Sequence, residues 1–135
     1  MTTRRDALRS LTALGLGITL ALLPRALRAQ SGNVVKQGSF VGQSKHVASG
    51  SAAIIKQDGK TYVSLGRDFD FDGGPDPKVA LGRGGYRSDT ILGVLQNNTG
   101  AQSYPLPDRL NGEDFDQVWI WCEQYDVPLG LAHIK

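Results

Sequence analysis

Ala52-Ala53-Ile54-Ile55-Lys56-Gln57-Asp58-Gly59-Lys60-Thr61-Tyr62-Val63-Ser64-Leu65 is the stretch that decides the fold. Two runs containing β-branched and aromatic residues flank Asp58-Gly59, a pair suited to the positive φ angles of a two-residue hairpin turn. The stretch therefore predicts two antiparallel strands, 52–57 and 60–65. Outward in both directions the rhythm continues, with short apolar runs separated by Gly, Asn, Pro or Asp clusters. Further strands are expected from Val34 to Val41, Lys78 to Leu81, Ile91 to Gln96, Gln102 to Leu106, Gln117 to Glu123 and Leu129 to Ile134. With 17 glycines and no long helical periodicity, the pattern is that of one small antiparallel all-β domain, a sandwich or a barrel.

The N-terminus reads differently. Arg4, Arg5 and Arg9 precede an uncharged apolar stretch from Leu11 to Leu23, and Pro24, Arg25 and Arg28 follow it. A basic start leading into a short apolar segment is the order of a secretory signal, and the segment falls short of the roughly 20 residues a membrane-spanning helix needs. No polar face interrupts its Leu, Ala, Gly and Thr, which argues against a helix of the folded domain. Thr3-Arg4-Arg5-Asp6-Ala7-Leu8-Arg9 resembles the twin-arginine export motif, with Ala7 where that motif prefers Phe. The expected organisation is a signal peptide over 1–29, a lead-in over 30–37 and a β domain over 38–135. It places the protein in the periplasm of a bacterium or outside the cell, with no membrane span once the signal is removed.

Removing that segment leaves ten basic against twelve acidic residues, a net charge of −2. No basic cluster remains to neutralise a row of phosphates, so nucleic acid is not an expected partner. About 105 residues are enough for one self-supporting domain. The chain has one cysteine, Cys122, so no internal disulfide forms.

Four groups of residues invite a chemical reading. Gln117-Val118-Trp119-Ile120-Trp121-Cys122-Glu123 alternates, placing Val118, Ile120 and Cys122 on one face and Trp119 and Trp121 on the other, so Cys122 is expected to point into an apolar layer. There a cysteine serves as a small hydrophobe unless something activates it. His46, His133 and Cys122 make up the bare ligand set of a copper site, but the spacing from Cys122 to His133 exceeds a tight ligand loop. Asp68, Asp70, Asp72 and Gly73 spell the first half of a calcium loop, with Asp76 nearby. The second half fails, because position twelve is Val79 rather than Glu. The alternation instead predicts Phe69 and Phe71 inward and the aspartates toward water, so these acids are only weak metal candidates. Asn97-Asn98-Thr99, a glycosylation sequon by pattern, reads more simply as a polar hairpin turn.

With those residues in hand the domain resembles the DM13 family, proposed to act in electron transfer. The matching pieces are Gly38-Ser39-Phe40 leading to His46-Val47-Ala48-Ser49-Gly50, Gly74-Pro75-Asp76 before Val79 and Leu81, and Leu92-Gly93-Val94-Leu95. They continue with Gly100-Ala101-Gln102-Ser103-Tyr104-Pro105-Leu106-Pro107 and Val118-Trp119-Ile120-Trp121-Cys122, and close with Gly130-Leu131-Ala132. The resemblance implies that Cys122 is a redox thiol or a ligand to a bound group such as haem; His46, from the copper set above, is a second candidate cofactor ligand. The departure is Pro128-Leu129-Gly130, where the bacterial pattern places an aromatic before the glycine.

The expected function is an exported redox or electron-transfer accessory module using Cys122, working with a redox or surface protein. The alternative is a non-catalytic binding module in which Cys122 is a buried structural residue. Haem, copper and no cofactor at all stay open. Stand-alone enzyme activity is not expected, because no nucleophile is paired with a recognisable base.

Overall fold

A computed structural model describes residues 32–135. The expected signal peptide lies outside the described residues. The hairpin forms as read: Asp58 and Gly59 adopt φ of 52° and 76° and join a strand at Ser51–Gln57 to one at Lys60–Leu65 in the register Gln57↔Lys60 to Ala52↔Leu65. In chain order the strands are β1 (Asn33–Gly42), β2 (Ala48–Ser49), β3 (Ser51–Gln57), β4 (Lys60–Leu65), β5 (Asp70–Phe71), β6 (Pro77–Gly82), β7 (Tyr86–Val94), β8 (Gln102–Pro105), β9 (Gln117–Cys122) and β10 (Val127–His133). β1 already begins within the expected lead-in, because Asn33 to Gln37 pair with β3. Among the described residues no helix is long and apolar enough to cross a membrane.

Eight strands form one antiparallel sheet in the order β7-β6-β9-β10-β1-β3-β4-β8, and β2 and β5 pair separately. The sheet curls into a nearly closed barrel around a core that includes Ile54, Val63, Leu65, Phe69, Leu81 and Ile120. β1 bends to serve two neighbours, its first seven residues pairing with β3 and Phe40 to Gly42 with β10. Gly38 allows the bend, since a Cβ there would lie 1.8 Å from the carbonyl oxygen of His133. β3 is buried on both faces, Ile54 in the main core and Ala53 and Ile55 in a smaller cluster against Tyr62.

Side chains, not a ladder, close the barrel between its edge strands. The Tyr104 hydroxyl accepts from the Gln96 backbone N–H (2.8 Å) and donates to Gln102 Oε1 (2.6 Å). Gln102 also accepts from the Asn97 N–H and donates to the Asn97 and Gly100 carbonyls. Gln102 and Tyr104 are buried, and this network supplies the partners that buried polar groups require.

The network corrects one expectation. Asn97-Asn98-Thr99 is not a hairpin turn, because β7 pairs with β6 and β8 pairs with β4, so the segment bridges two edge strands. β7 also begins five residues before the expected Ile91. Tyr86 to Asp89 are polar and largely exposed, as suits an edge, and the buried Thr90 hydroxyl anchors them, its one proton lying between the Leu81 and Arg87 carbonyls at 2.6 and 2.8 Å. The expected inward Phe and outward Asp alternation is present, with Phe69 and Phe71 buried and Asp68, Asp70 and Asp72 exposed.

Candidate functional site

Cys122 ends β9, which lies between β6 and β10. The alternation of β9 turns Val118, Ile120 and Cys122 into the core, all three fully buried. At its end of the barrel Cys122 pairs across the sheet with Pro77 and Val127. Its thiol is free, and Sγ accepts from the Tyr125 backbone N–H at 3.4 Å.

The β9–β10 turn, Glu123 to Asp126, folds over this thiol and is clamped from the β6 side. Asp76 receives the Gln124 N–H on Oδ2 (2.9 Å) and the Glu123 N–H on its carbonyl (3.3 Å). Lys78 Nζ lies 3.0 Å from both Asp76 Oδ1 and Glu123 Oε1. The hydrogen bond to Glu123, then that to Asp76, raises the Lys78 pKa and keeps the ammonium charged. Asp126 takes the left-handed φ of 54° that reverses the chain, and its carboxylate accepts from Trp121 Nε1 at 3.1 Å.

The outer face of the same strand is aromatic. Tyr86 stacks on Trp121 with ring centroids 3.7 Å apart and planes 7° from parallel, and Trp119 meets Trp121 edge-on. Burial, followed by the nearby charges of Asp126 and Glu123, raises the Tyr86 hydroxyl pKa, so the ring stays neutral in this stack. Cys122 is thus enclosed by the core on one side and by the clamped turn above.

The copper set does not gather at Cys122. His46 follows a left-handed turn through Ser44 and Lys45, and its Nδ1 lies 3.1 Å from Asp72 Oδ1. Hydrogen bonding from the Val47 backbone, together with His46, lowers the Asp72 pKa. His133 pairs with Gln117 at the opposite end of β9, about 17 Å from Cys122 at a rise of 3.4 Å per residue. The copper set His46, His133 and Cys122 is therefore dispersed. With His133 at the far end of the strand and no three of His, Cys, Asp and Glu grouped among the described residues, the residues present do not fit a copper ligand set.

The four aspartates are likewise committed separately. Asp68 Oδ1 accepts from the Ser51 N–H (3.0 Å) and hydroxyl (2.7 Å). Burial alone would raise the Asp68 pKa, but these Ser51 hydrogen bonds lower it on balance. Asp70 lies in the β2–β5 ladder opposite Ser49, Asp72 faces His46 and Asp76 belongs to the clamp. Among the described residues no three of His, Cys, Asp and Glu are grouped so as to hold a metal ion.

Sequence reasoning missed the clamp. Its members are 45 to 48 residues apart in the chain, and only the pairing of β6 with β9 brings them together. The one local sign is Asp76 between two prolines, a turn pattern that says nothing of the partner.

No curated protein and no solved structure matches the chain. The family model described as Electron transfer DM13 matches residues 39–134, well over half of the chain and nearly the whole barrel. With that match over the strands that carry and enclose Cys122, the chain belongs to the DM13 electron-transfer family.

Proposed function

We propose that this protein is an exported electron-transfer module of the periplasm or cell exterior in which Cys122 is the redox group. The carrying observation is the DM13 match across the barrel, together with the placement of the chain's one cysteine at the end of β9, an interior strand of the sheet. The twin-arginine-like start supports export from a bacterial cytoplasm.

Thiol–disulfide exchange is the chemistry a lone cysteine offers without a metal. The Cys122 thiolate attacks a partner's disulfide, a mixed disulfide forms as the partner's own S–S bond breaks, and the second partner sulfur leaves as thiolate. The partner disulfide is the oxidant. The Glu123–Asp126 turn has to open first, because attack needs an accessible sulfur. In the closed state the thiol is shielded from adventitious oxidants.

The full burial of Cys122 favours a second reading, a binding module in which the cysteine only fills the core. Thiol titration of native and unfolded protein, with an absorption spectrum of the anaerobically purified protein, separates the two. Redox function predicts slow but measurable native labelling and a mixed disulfide with a small disulfide reagent under native conditions. A thiol that reacts only after global unfolding, in a colourless protein, selects the structural reading.

A further inference from the structure

At the opposite end of β6 and β9 from Cys122 lies a groove of about 370 Å³ lined by Arg83, Arg87, Arg109, Asp89, Asp114 and the Phe115 region. The described residues contain four arginines, and three of them line this one groove. None of the six described lysines does. Guanidinium groups, unlike ammonium groups, present forked donors that match a planar oxyanion in two-point contact.

We propose that this groove binds a carboxylate group of a ligand. The protein displays the grip once: Arg87 Nε and Nη2 hold the two oxygens of Asp89 at 3.1 and 2.7 Å. Arg109 Nη2 donates to the Asp89 backbone carbonyl at 2.7 Å, which orients its guanidinium and leaves further N–H groups to offer. Arg83 has no hydrogen bond or ion pair among the described residues. Three guanidiniums against the carboxylates of Asp89 and Asp114 leave one net positive charge, in a domain whose described residues sum to −2. That residual charge matches one carboxylate better than a phosphate dianion. Leu110 and the buried Phe115 give the groove an apolar wall, which suits the carbon chain carrying the acid.

The carboxylate has two sources, a free dicarboxylic acid or an acidic segment of a partner protein. This site is independent of Cys122, so the redox reading and this one stand or fall separately.

The test titrates glutarate and an acetylated pentaglutamate peptide into isotope-labelled protein while following the arginine Nε–H and backbone NMR signals. The expected result is saturable shifts at Arg83, Arg87 and Arg109. The paired change Arg83→Gln and Arg109→Gln should weaken binding at least tenfold, and Asp114→Asn should tighten it about threefold. Arg67→Gln, which removes an equal charge outside the groove, should change affinity less than twofold. Saturation by glutarate supports a free acid as the source, and response to the peptide alone supports an acidic segment. Equal weakening by Arg67→Gln, shifts confined to other surfaces, or inorganic phosphate binding more tightly than either carboxylate overturns the proposal.

Discussion

The two ends of β9 are built from the same pair of neighbouring strands and present opposite chemistry. At the Cys122 end a four-residue turn folds back over the core, and Asp76, Lys78 and Glu123 tie it to β6. At the Gln117 end β6 leads into a glycine-rich turn through Gly84 and Gly85, and a long connection from Leu106 to Asp116 approaches from β8. Lys36 fastens that connection by donating to the Glu113 and Phe115 carbonyls, but between it and β7 a charged groove stays open. Connection length, more than strand composition, decides which end is sealed. A tight hairpin covers what lies beneath it, whereas two connections arriving from different strands leave space between them.

This contrast can be broken most severely at the sealed end. Cys122→Ser places a hydroxyl among apolar neighbours and should destabilise the fold by about 2 kcal/mol, read as a lower denaturation midpoint at unchanged slope. Loss of less than half a kcal/mol would show that the thiol site is wetter and more open than its burial implies.

A gentler change tests the seal itself. Asp76 sits at φ 46°, which asparagine tolerates, so Asp76→Asn keeps the backbone while removing the carboxylate shared by Lys78 and Gln124. Native labelling of Cys122 should accelerate several-fold, with little change in the labelling of unfolded protein. An unchanged rate would mean that thiol exposure passes through global unfolding and not through the turn.

Asp68 sharpens the comparison through pH, at a loop away from the seal. Its folded pKa is depressed, so the ionised carboxylate stabilises the fold above the unfolded pKa of about 3.9, and this contribution disappears as pH falls through the folded value. Asp68→Asn should therefore lower stability by up to about 1 kcal/mol at pH 7, with the gap to the parent closing below about pH 4. A gap that stays constant with pH would locate the effect in shape instead of charge.

The open end should respond least. Arg83→Gln and Arg109→Gln should each change folding stability by no more than about 0.5 kcal/mol, because their guanidiniums lie at the surface. Their melting temperatures check this against the Cys122→Ser variant.

Much of the barrel was legible residue by residue. Asp58-Gly59 specified its hairpin because a local turn requires positive φ, and the alternation of Val118, Ile120 and Cys122 placed the thiol inward because side chains in a strand alternate between faces. The same logic put Phe69 and Phe71 inside. Tyr86 to Thr90 escaped it, since an edge strand facing water has no apolar alternation to read. β2 and β5 escaped it because two-residue strands carry no period.

The sequence by itself determined the strand-rich class, the hairpin, the burial of Cys122 and the family. Each of these depends on patterns within a few residues, or on their order along the chain. Only the tertiary structure decided that the sheet closes through Tyr104 and Gln102, that Asp76 and Lys78 seal the turn over Cys122, and that three arginines share one groove. Those features join groups that meet only once strand pairing and curvature are set, and a linear pattern contains no signal for the distance between them.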